Sequence, residues 1–469
     1  RLTRQWLAPL QRMTERGSAE VLAIFNFERL IMKTILASFV AIVALAWGVE
    51  LLSPDHTAAG SLPWAIYLES LFLTGLFSIS LMSLAMVLAT RPVWLEHLFG
   101  GMDRIYRLHK WSGILAVVFA ASHWLLEMSD DFFKALAGHG HRVKEDELSA
   151  FAEPLRDMGD ALGEWAFYVL LALLALTLWK RFSYRLWRPL HRAMPVLYLL
   201  LVFHSVVLAP AGYWSQPVGL LLALLFTAGS IASVLSLRGL IGRKRRASGI
   251  VVAVHNPGND IIEVSCRLDG KWRGHHPGQF AFVTFDEAEG AHPFTIASAD
   301  RGDSTVTFAI KALGDYTRTL PRKLAEGSPV EVEGPYGRFE LSRTNKRTRQ
   351  IWIAGGIGIT PFLAWLESLQ GEQATEISAN LHYNVRDREA DPFIERLQRL
   401  CATLPKVQLY VYDKHSGPLN ADTLAAELNE TRRAEVWFCG PRSFADALRK
   451  RLQTVAGRVR FHQEAFEIR

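Results

Sequence analysis

The most constraining feature of this sequence is a series of long apolar segments that all lie before residue 240. A helix that crosses the hydrocarbon core of a bilayer needs roughly 20 mainly apolar residues. Hydrophobic residues make up 50% of the 469-residue chain, and they are concentrated before residue 240. We therefore predict six membrane-spanning helices, followed by a soluble part. The predicted spans are 31–52, 66–89, 105–128, 162–180, 190–209 and 216–237.

Basic residues flank these segments on one side of the membrane only, if the spans alternate in direction. The basic side receives Arg29, Lys33, Arg91, Arg104, Arg107, Lys110, Lys180, Arg181, Arg185, Arg188, Arg192, Arg238, Arg243, Lys244, Arg245 and Arg246. The opposite side has no Lys or Arg at 50–66 or 209–216, and its long loop at 129–164 is mainly acidic. The positive-inside rule then places both termini in the cytoplasm. This topology accounts for the formal net charge of +6, and no nucleic-acid partner is expected.

Two further features narrow the class of protein. Cys266, Cys401 and Cys439 are too few and too scattered for a disulfide scaffold or a thiolate metal site. The sequence opens with Arg1 rather than methionine, so we expect trimming of the chain. No cleavable signal pattern precedes the first apolar segment, which is long enough to span.

The histidines of the predicted spans indicate a cofactor. Four of the fifteen histidines lie in or at the ends of spans: His109, His123, His191 and His204. His109 and His123 are fourteen residues apart, which is four helical turns and a rise of about 21 Å. His191 and His204 are thirteen apart, a rise of about 20 Å. Both helices start on the cytoplasmic side, so the imidazoles fall at two matched depths.

This arrangement predicts two stacked haems, each with two axial histidines. A single intramembrane histidine is often only a hydrogen-bonding residue between helices, whereas four at matched depths favour ligands. No C-x-x-C-H motif is present, so the haems are expected to be b-type. Thirteen residues fall about 140° short of whole turns, and we expect a kink at Pro195 to compensate. Without such a kink, the two haems are rotated relative to each other.

The soluble part begins after the basic run at 243–246. Strand-like stretches at 249–255, 260–267, 279–285, 305–311 and 329–333 predict a small antiparallel barrel. From about residue 349 the pattern changes to strand, glycine loop and helix, which is typical of a nucleotide-binding α/β unit.

Four short motifs follow one another in the predicted barrel: 277–280 (PGQF), 292–298 (HPFTIAS), 311–317 (KALGDYT) and 333–337 (EGPYG). Each alone is also ordinary turn chemistry, but the ordered set favours a flavin site. A flavin needs an aromatic wall and a hydroxyl near its ring, which His292, Phe294 and Thr295 supply. Its pyrophosphate needs cationic or amide donors, for which Gly314 and Thr317 are suited. The predicted flavin-binding residues are His292, Pro293, Phe294, Thr295, Lys311, Gly314 and Thr317.

The α/β unit offers two loops to a dinucleotide. A buried strand at 351–354 leads into a glycine-rich loop and a helix, whose N-terminal amides favour a pyrophosphate. A second strand at 436–438 ends in Cys439, which we expect beside the nicotinamide ring; a buried cysteine at a strand end is the alternative. The predicted nucleotide-binding residues are Gly355, Gly356, Gly358, Thr360, Pro361, Gly440 and Pro441.

Beyond its N-terminal arm, the chain resembles the ferric reductase/NADPH oxidase family, particularly its compact bacterial NADPH oxidases. The paired histidine spacings and the HPFTIAS, GGIGITP and FCGP stretches follow the family's order. The resemblance implies a multi-domain membrane protein, in which a six-helix transmembrane haem bundle precedes a ferredoxin-reductase-like β-barrel FAD domain and an α/β nucleotide-binding domain. We place the cytosolic arm at 1–30, the haem domain at 31–240, the FAD domain at 247–342 and the NAD(P)H domain at 348–469.

The resemblance also implies residue roles. His109 and His191 would bind the inner haem, and His123 and His204 the outer one. Phe466 matches an aromatic that shields the flavin, although three residues follow it here; packing is the alternative role.

Arg386 and Arg388, after the strand at 377–383, are candidates for the adenosine 2′-phosphate, with solvated loop arginines as the alternative. The implied cofactors are FAD, two haem b and NADPH, with NADH as the other possible donor.

The implied activity is electron transfer from cytosolic NADPH through FAD and the haems to an extracytoplasmic acceptor. Oxygen, giving superoxide, is the expected acceptor. Eukaryotic oxidases carry a second histidine one turn beyond the outer ligand, where this chain has Glu127. The acidic outer loop, with His139 and His141, suits reduction of ferric or cupric chelates instead. An electron-delivery subunit for a periplasmic enzyme is a further alternative, although no obligate protein partner is expected.

Overall fold

The computed structural model describes residues 32–52, 61–137, 152–179, 184–345, 348–370, 377–417, 419–429, 433–452 and 458–464. The chain divides into two compact units, a helical one made of residues 32–99 and 104–241, and a mixed one that comprises Gly100–Asp103 and the residues from Gly242 onward. Phe466, His139, His141 and the arm at 1–30 lie outside the described residues.

The helical unit confirms the prediction of six spans. Within the described ranges, six helical stretches are long and apolar enough to cross a membrane, judged by length and composition. Its helices are α1 (Met32–Leu51), α2 (Leu62–Ala89), α3 (Val93–Phe99), α4 (Met102–Met128), α5 (Asp130–Ala137), α6 (Ala152–Leu178), α7 (Tyr184–His191), α8 (Met194–Leu208) and α9 (Pro217–Leu237). Large apolar side chains such as Leu45, Trp165 and Leu220 are exposed on these helices, as expected for surfaces that face lipid.

Two span boundaries differ from the prediction. The predicted segment at 162–180 is only the apolar part of α6, whose first turns are charged and begin at Ala152. The predicted segment at 190–209 is not one helix, because α7 ends at His191 and α8 begins at Met194. Pro195 has no N–H for the carbonyl of residue 191, and its ring clashes with that carbonyl. His191 and His204 therefore lie on separate helices, so their thirteen-residue spacing does not have to match whole turns of one helix.

Helix α8 lies at the centre of the helical unit and packs against α2, α6 and α9. Tyr198 of α8 is fully buried, and its hydroxyl lies 2.8 Å from Ser83 Oγ of α2. A Cβ at Gly229 of α9 would overlap this hydroxyl, so the approach of α9 requires glycine there.

The mixed unit opens with a six-stranded antiparallel sheet in the order β4-β3-β6-β1-β2-β5. Its strands are β1 (Arg246–Gly258), β2 (Ile261–Leu268), β3 (Phe280–Thr284), β4 (His292–Thr295), β5 (Thr305–Lys311) and β6 (Pro329–Tyr336), and α10 (Asp315–Lys323) follows β5. An antiparallel bridge from Ile296 to Phe308 links the segment after β4 to the other edge strand, β5. The five predicted strands agree with this sheet, whereas β4 is short and contains Pro293, which weakens a strand signal.

A five-stranded parallel sheet follows, in the order β11-β10-β7-β8-β9. Its elements are β7 (Arg349–Gly355), α11 (Thr360–Ser368), β8 (Ala379–Asn384), α12 (Ile394–Ala402), β9 (Val407–Tyr412), α13 (Ala421–Asn429), β10 (Arg433–Cys439), α14 (Arg442–Leu452) and β11 (Arg458–Glu464). The chain runs outward from β7 in both directions, so the strand order reverses between β7 and β10. Ligands of such sheets bind at the carboxyl ends of the strands beside this point.

Aromatic packing joins the two sheets. Trp365 of α11 donates a hydrogen bond to the Pro277 carbonyl at 2.9 Å and stacks on Phe339, with ring centres 5.1 Å apart. Gly278 has φ +95°, and a Cβ there would overlap both the Phe339 carbonyl and the Trp365 indole. The PGQF motif, which the sequence grouped with the flavin motifs, therefore also forms the junction between the sheets.

Candidate functional site

The four intramembrane histidines meet in two pairs. His109 of α4 faces His191 of α7, with ring centres 6.2 Å apart and ring planes at 81°. His123 of α4 faces His204 of α8, with ring centres 6.4 Å apart and ring planes at 86°. We call these the inner pair and the outer pair. In the described part of the chain, no group of three or more His, Cys, Asp or Glu side chains is arranged to hold a metal. Each pair therefore offers two protein ligands, on opposite sides of one position.

Backbone carbonyls of α2 orient the two imidazoles of α4. His109 Nδ1 lies 2.9 Å from the Ala85 carbonyl, and His123 Nδ1 lies 2.9 Å from the Leu71 carbonyl. Because only Nδ1–H can donate to a carbonyl, each bond leaves Nε2 with its lone pair toward the partner histidine. Leu71 and Ala85 are fourteen residues apart, so α2 repeats the four-turn spacing of α4.

A backbone carbonyl of α6 orients the imidazole of His204 in the same way. His204 Nδ1 lies 2.9 Å from the Gly159 carbonyl, and a Cβ at Gly163 would overlap the His204 ring. On α2, a Cβ at Gly75 would lie only 3.2 Å from His123 Cε1 and Nδ1. Sequence reasoning missed these glycines, although the G-x-x-x-G spacing at 159–163 was a visible sign of close helix approach.

The fourth imidazole is held differently. His191 stacks on Trp187, with ring centres 4.8 Å apart and planes at 20°. Its Nδ1 is buried and has no hydrogen-bond partner among the described residues. Three imidazoles are thus oriented by carbonyls and one by a stacked indole.

The predicted flavin residues converge at one end of the antiparallel sheet. His292 of β4 stacks on Tyr316 of α10, with ring centres 4.5 Å apart and planes at 25°. Phe294, two residues along the same strand, lies 6.4 Å from His292 with nearly parallel rings. Pro293 is half-buried and Thr295 is buried within β4. Tyr316 was not among the predicted residues; burial raises its pKa to about 12, so it stays protonated.

The start of α10 completes this region. Lys311 ends β5, and Gly314 immediately precedes α10. Thr317 Oγ1 accepts a hydrogen bond from the Gly314 amide at 3.0 Å and donates to the Gly314 carbonyl at 3.1 Å. These bonds fix the turn that opens the helix and direct its N-terminal amides outward.

The two predicted nucleotide loops touch at the carboxyl edge of the parallel sheet. Cys439 of β10 pairs with Ala354 of β7, and Cys439 is buried. A Cβ at Gly358 would overlap the Cys439 carbonyl, and one at Gly355 would lie 2.9 Å from Pro441 Cδ. Glycine is therefore required where the loops approach each other.

The remaining predicted residues of these loops lie at the same edge. A Cβ at Gly440 would lie 3.1 Å from the Gly355 amide, and Gly356 has φ +55°. Thr360 begins α11 with Pro361 in its first turn, and both are buried.

The loop after β8 carries the predicted arginines. Arg386 and Arg388 are both exposed. Between them, Asp387 Oδ2 lies 2.8 Å from Lys414 Nζ, in the loop after β9. This hydrogen bond holds the pKa of the Asp387 carboxyl below its ordinary value. Lys414 was missed because it is distant from Asp387 in the sequence, and only the pairing of β8 with β9 brings the two together.

A buried histidine supports the flavin strand from behind. His275 Nε2 lies 2.9 Å from the Ser298 carbonyl, which makes Nε2–H the donor and leaves Nδ1 unprotonated. Burial lowers the pKa of His275 below its ordinary value. His276 is exposed beside it.

Two family profiles match this chain. The profile of the ferric reductase like transmembrane component matches residues 74–202, and an FAD-binding domain profile matches residues 247–345. The chain has the architecture of the ferric reductase/NADPH oxidase family. It is a multi-pass membrane protein with a ferredoxin-reductase-like soluble part.

Curated relatives match only part of this chain. A flavohemoprotein of Burkholderia sp. (strain TH2) is 28% identical over 195 residues, which cover 38% of this chain and 48% of that protein. The carnitine monooxygenase reductase subunit of Acinetobacter baumannii is 33% identical over 123 residues, or 26% of this chain and 36% of that protein. The chain thus spans about half or less of these relatives' length. The crystal structure of a flavohemoglobin from Malassezia yamatoensis with bound FAD and heme is 16% identical, with a TM-score of 0.47, and covers 87% of this chain and all of its own.

Acid should destabilise the soluble part through His275. The unfolded imidazole takes up a proton below about pH 6.5, whereas the folded one resists it. Stability present above that pH is therefore lost as the pH falls. We expect the melting temperature to fall by about 2–4 °C more in the wild type than in His275→Gln between pH 7 and pH 5.5. Glutamine keeps an N–H for the Ser298 carbonyl. His276→Gln, its exposed neighbour, should behave as wild type, and equal acid sensitivity of His275→Gln would remove His275 as the cause.

Proposed function

We propose that this chain is a transmembrane oxidoreductase. It takes electrons from cytosolic NADPH through FAD and two b-type haems to an acceptor on the far side of a bacterial inner membrane. The acceptor is oxygen, which gives superoxide. Both termini lie in the cytoplasm, as the basic flanks of the spans indicate.

The observation that carries the proposal is the geometry of the inner and outer pairs. A metal–imidazole bond is about 2 Å, and the ring centre lies roughly 1 Å beyond the nitrogen. Two imidazoles on opposite sides of one iron therefore have ring centres roughly 6 Å apart. The pairs stand at 6.2 and 6.4 Å. In three of the four rings, Nδ1 faces a carbonyl, which leaves Nε2 for iron.

The donor set also suits haem rather than a bare metal ion. Zinc sites take three or four protein ligands, whereas haem supplies four nitrogens itself and needs only the axial pair. His109 with His191 would hold the inner haem, and His123 with His204 the outer one. Each haem, when bound, carries one electron at a time, and FAD links this to the two-electron hydride of NADPH.

The flavin residues divide into ring and phosphate contacts. His292, Pro293, Phe294 and Thr295 would line the isoalloxazine ring, since β4 presents its partly buried side chains there. Lys311 and the turn formed by Gly314 and Thr317 would hold the pyrophosphate, because a lysine and helix N-terminal amides both favour an anion.

The nucleotide would lie across the loops at 355–361 and 439–441. Gly355, Gly356 and Gly358 admit the pyrophosphate to the backbone, and the amides of Thr360 and its helix face it. Thr360, Pro361, Gly440 and Pro441 shape the two loops, and Cys439 at the end of β10 would lie beside the nicotinamide. Phe466 would shield the flavin until NADPH arrives.

A preference for NADPH over NADH is supported by the charge of the loop after β8. An acidic residue at such a loop usually accepts the ribose 2′-hydroxyl of NADH, while an arginine accommodates a 2′-phosphate. Here Lys414 pairs with Asp387. Arg386 and Arg388 are exposed on either side of this pair, and they are the cations that a 2′-phosphate would meet.

His123 and His204 would both be needed to hold the outer haem, so oxygen would take up its electrons without displacing either histidine. Each hydride carries two electrons, so one NADPH reduces two oxygen molecules to superoxide and releases one proton. A ferric or cupric chelate is the second candidate acceptor. Glu127, in place of a second outer histidine, and the acidic loop at 129–164 favour it.

The acceptor can be tested with the purified, FAD-supplemented protein in detergent. NADPH-driven reduction of cytochrome c should be abolished by superoxide dismutase, because superoxide is the carrier. If the dismutase has no effect and ferric chelates are reduced equally well under argon, the acceptor is a metal chelate and not oxygen. His123→Leu serves as the control, since it should stop both reactions while soluble dyes still take electrons from the flavin.

Substitution at Gly163 tests the outer pair. Gly163→Ala should displace the His204 ring and lower the haem bound per flavin to about half, measured as the pyridine haemochrome. Gly48→Ala of α1, a span that carries none of the four histidines, is the matched control, since a Cβ there meets no atom within 4 Å. A full haem complement in Gly163→Ala would contradict ligation by His204.

Substitution at Arg386 and Lys414 tests the nucleotide preference. Arg386→Ala should raise the KM for NADPH about tenfold and leave that for NADH unchanged, because a charged hydrogen bond to phosphate is lost. Lys414→Ala should raise the KM for NADPH as well, because Asp387 loses its partner and its carboxylate then repels the phosphate. Lys406→Ala, at the opposite end of β9 and also exposed, is the control. Equal effects on both nucleotides would show that these residues do not read the 2′-phosphate.

A further inference from the structure

The basic run after the last span does more than set topology, because one of its arginines enters a buried ion pair. Arg246 Nε lies 3.2 Å from Glu333 Oε2, and the Glu333 side chain is 5% exposed. Tyr336 donates its hydroxyl to Glu333 Oε1 at 2.8 Å. Both carboxylate oxygens of Glu333 are thus engaged, as a buried carboxylate requires.

A second arginine of the run binds the same motif. Arg245 Nη1 donates to the Pro335 carbonyl at 2.8 Å. Its guanidinium also lies 4.8 Å from the centre of the Tyr336 ring, within the range of a cation–π contact. The EGPYG motif at 333–337, which the sequence assigned to the flavin, therefore also holds the linker, through Glu333, Pro335 and Tyr336.

The linker backbone at Gly242 packs closely against the Glu333 carboxylate. Gly242 has φ +72°, and a Cβ there would overlap the Glu333 carboxyl group. Gly239 has a similar φ of +64°, but a Cβ there would meet nothing within 4 Å. We call Gly242, Arg245, Arg246, Glu333 and Tyr336 the linker clamp.

Strand pairing connects the clamp to the flavin strand. Arg246 is the first residue of β1 and pairs directly with Glu333 of β6. Strand β6 pairs in turn with β3, where Phe280 faces Tyr336, and β3 pairs with β4. Backbone hydrogen bonds of one sheet therefore connect the linker, through β1, β6 and β3, to His292 in β4.

We propose that the linker clamp is a positioning device, with Glu333 as its positioning residue. It holds the residues that follow the last span on the flavin-bearing sheet, and the rate at which electrons pass from flavin to haem should depend on this attachment. The second half of this inference rests on the proposed function; the first half does not.

Trypsin tests the first half, because the linker presents Arg243 and Lys244 exposed on its surface. In the intact detergent-solubilised protein, Glu333→Gln should speed cleavage within 243–246 about tenfold, since the freed linker opens more often. Glu331→Gln is the matched control: Glu331 also approaches Arg246, at 3.6 Å, but its side chain is 45% exposed, and such surface pairs contribute little. Unchanged cleavage in Glu333→Gln, or equal acceleration in both variants, overturns the clamp.

A second pair of variants disturbs the clamp without altering the EGPYG motif. Gly242→Ala and Gly239→Ala suffer similar backbone strain, but only the former displaces the Glu333 carboxylate. Gly242→Ala should reproduce the rapid cleavage of Glu333→Gln, and Gly239→Ala should not. Equal behaviour of the two glycine variants would assign the effect to backbone strain and overturn the clamp.

Anaerobic stopped-flow spectroscopy with NADPH tests the second half. Gly242→Ala, which lies outside the flavin motifs, should reduce flavin at the wild-type rate with wild-type FAD content and should reduce haem about tenfold more slowly, because electron transfer depends steeply on geometry. Rapid cleavage with unchanged haem reduction would make the clamp purely structural and overturn its positioning role. Wild-type protein that shows no haem reduction by NADPH would refute the proposed function, while the cleavage result would still decide whether the clamp exists.

Discussion

The hydrogen bond from an imidazole Nδ1–H to a helix carbonyl organises the membrane part of this protein. Burying a histidine in hydrocarbon costs free energy unless its ring N–H has a hydrogen-bond acceptor, and helix carbonyls are the acceptors available there. His109 and His123 use α2, and His204 uses α6, all at 2.9 Å. These bonds select the tautomer, aim Nε2 inward and require the close helix approaches that Gly75 and Gly163 permit. Helix spacing, tautomer and ligand direction thus follow from one kind of contact.

Much of the fold was readable from the sequence because its signals are local. Apolar length marked the six spans, and alternation marked five of the six antiparallel strands. Strand β4 escaped because it is short and contains Pro293. Pro195 was recognised as a disturbance of the fifth span, but periodicity alone could not distinguish a kink from the full break after His191.

The site was predictable where motifs are contiguous and less so where packing decides. The pairing of the four histidines could be inferred from their spacing, because the segments that carry them are helical. Tyr316, Lys414 and Gly163 were missed, since each acquires its role from a neighbour distant in sequence: His292, Asp387 and His204. The EGPYG motif shows the opposite case, in which a recognised motif has contacts that its sequence does not reveal. Nothing in residues 333–337 alone indicates that Glu333 receives Arg246.

The matched four-turn spacing of α2 and α4 has a consequence for how such chains can diverge. Between Leu71 and Ala85, and between His109 and His123, many residue types can be exchanged as long as the new side chain is apolar and fits. The number of residues in these intervals cannot change, because one inserted residue would turn an imidazole by about 100° and shift it by about 1.5 Å along the helix axis. Insertions and deletions in related chains should therefore occur in the connecting loops and be absent from these two intervals. Their constant length, rather than their composition, is the signature by which distant relatives would be recognised.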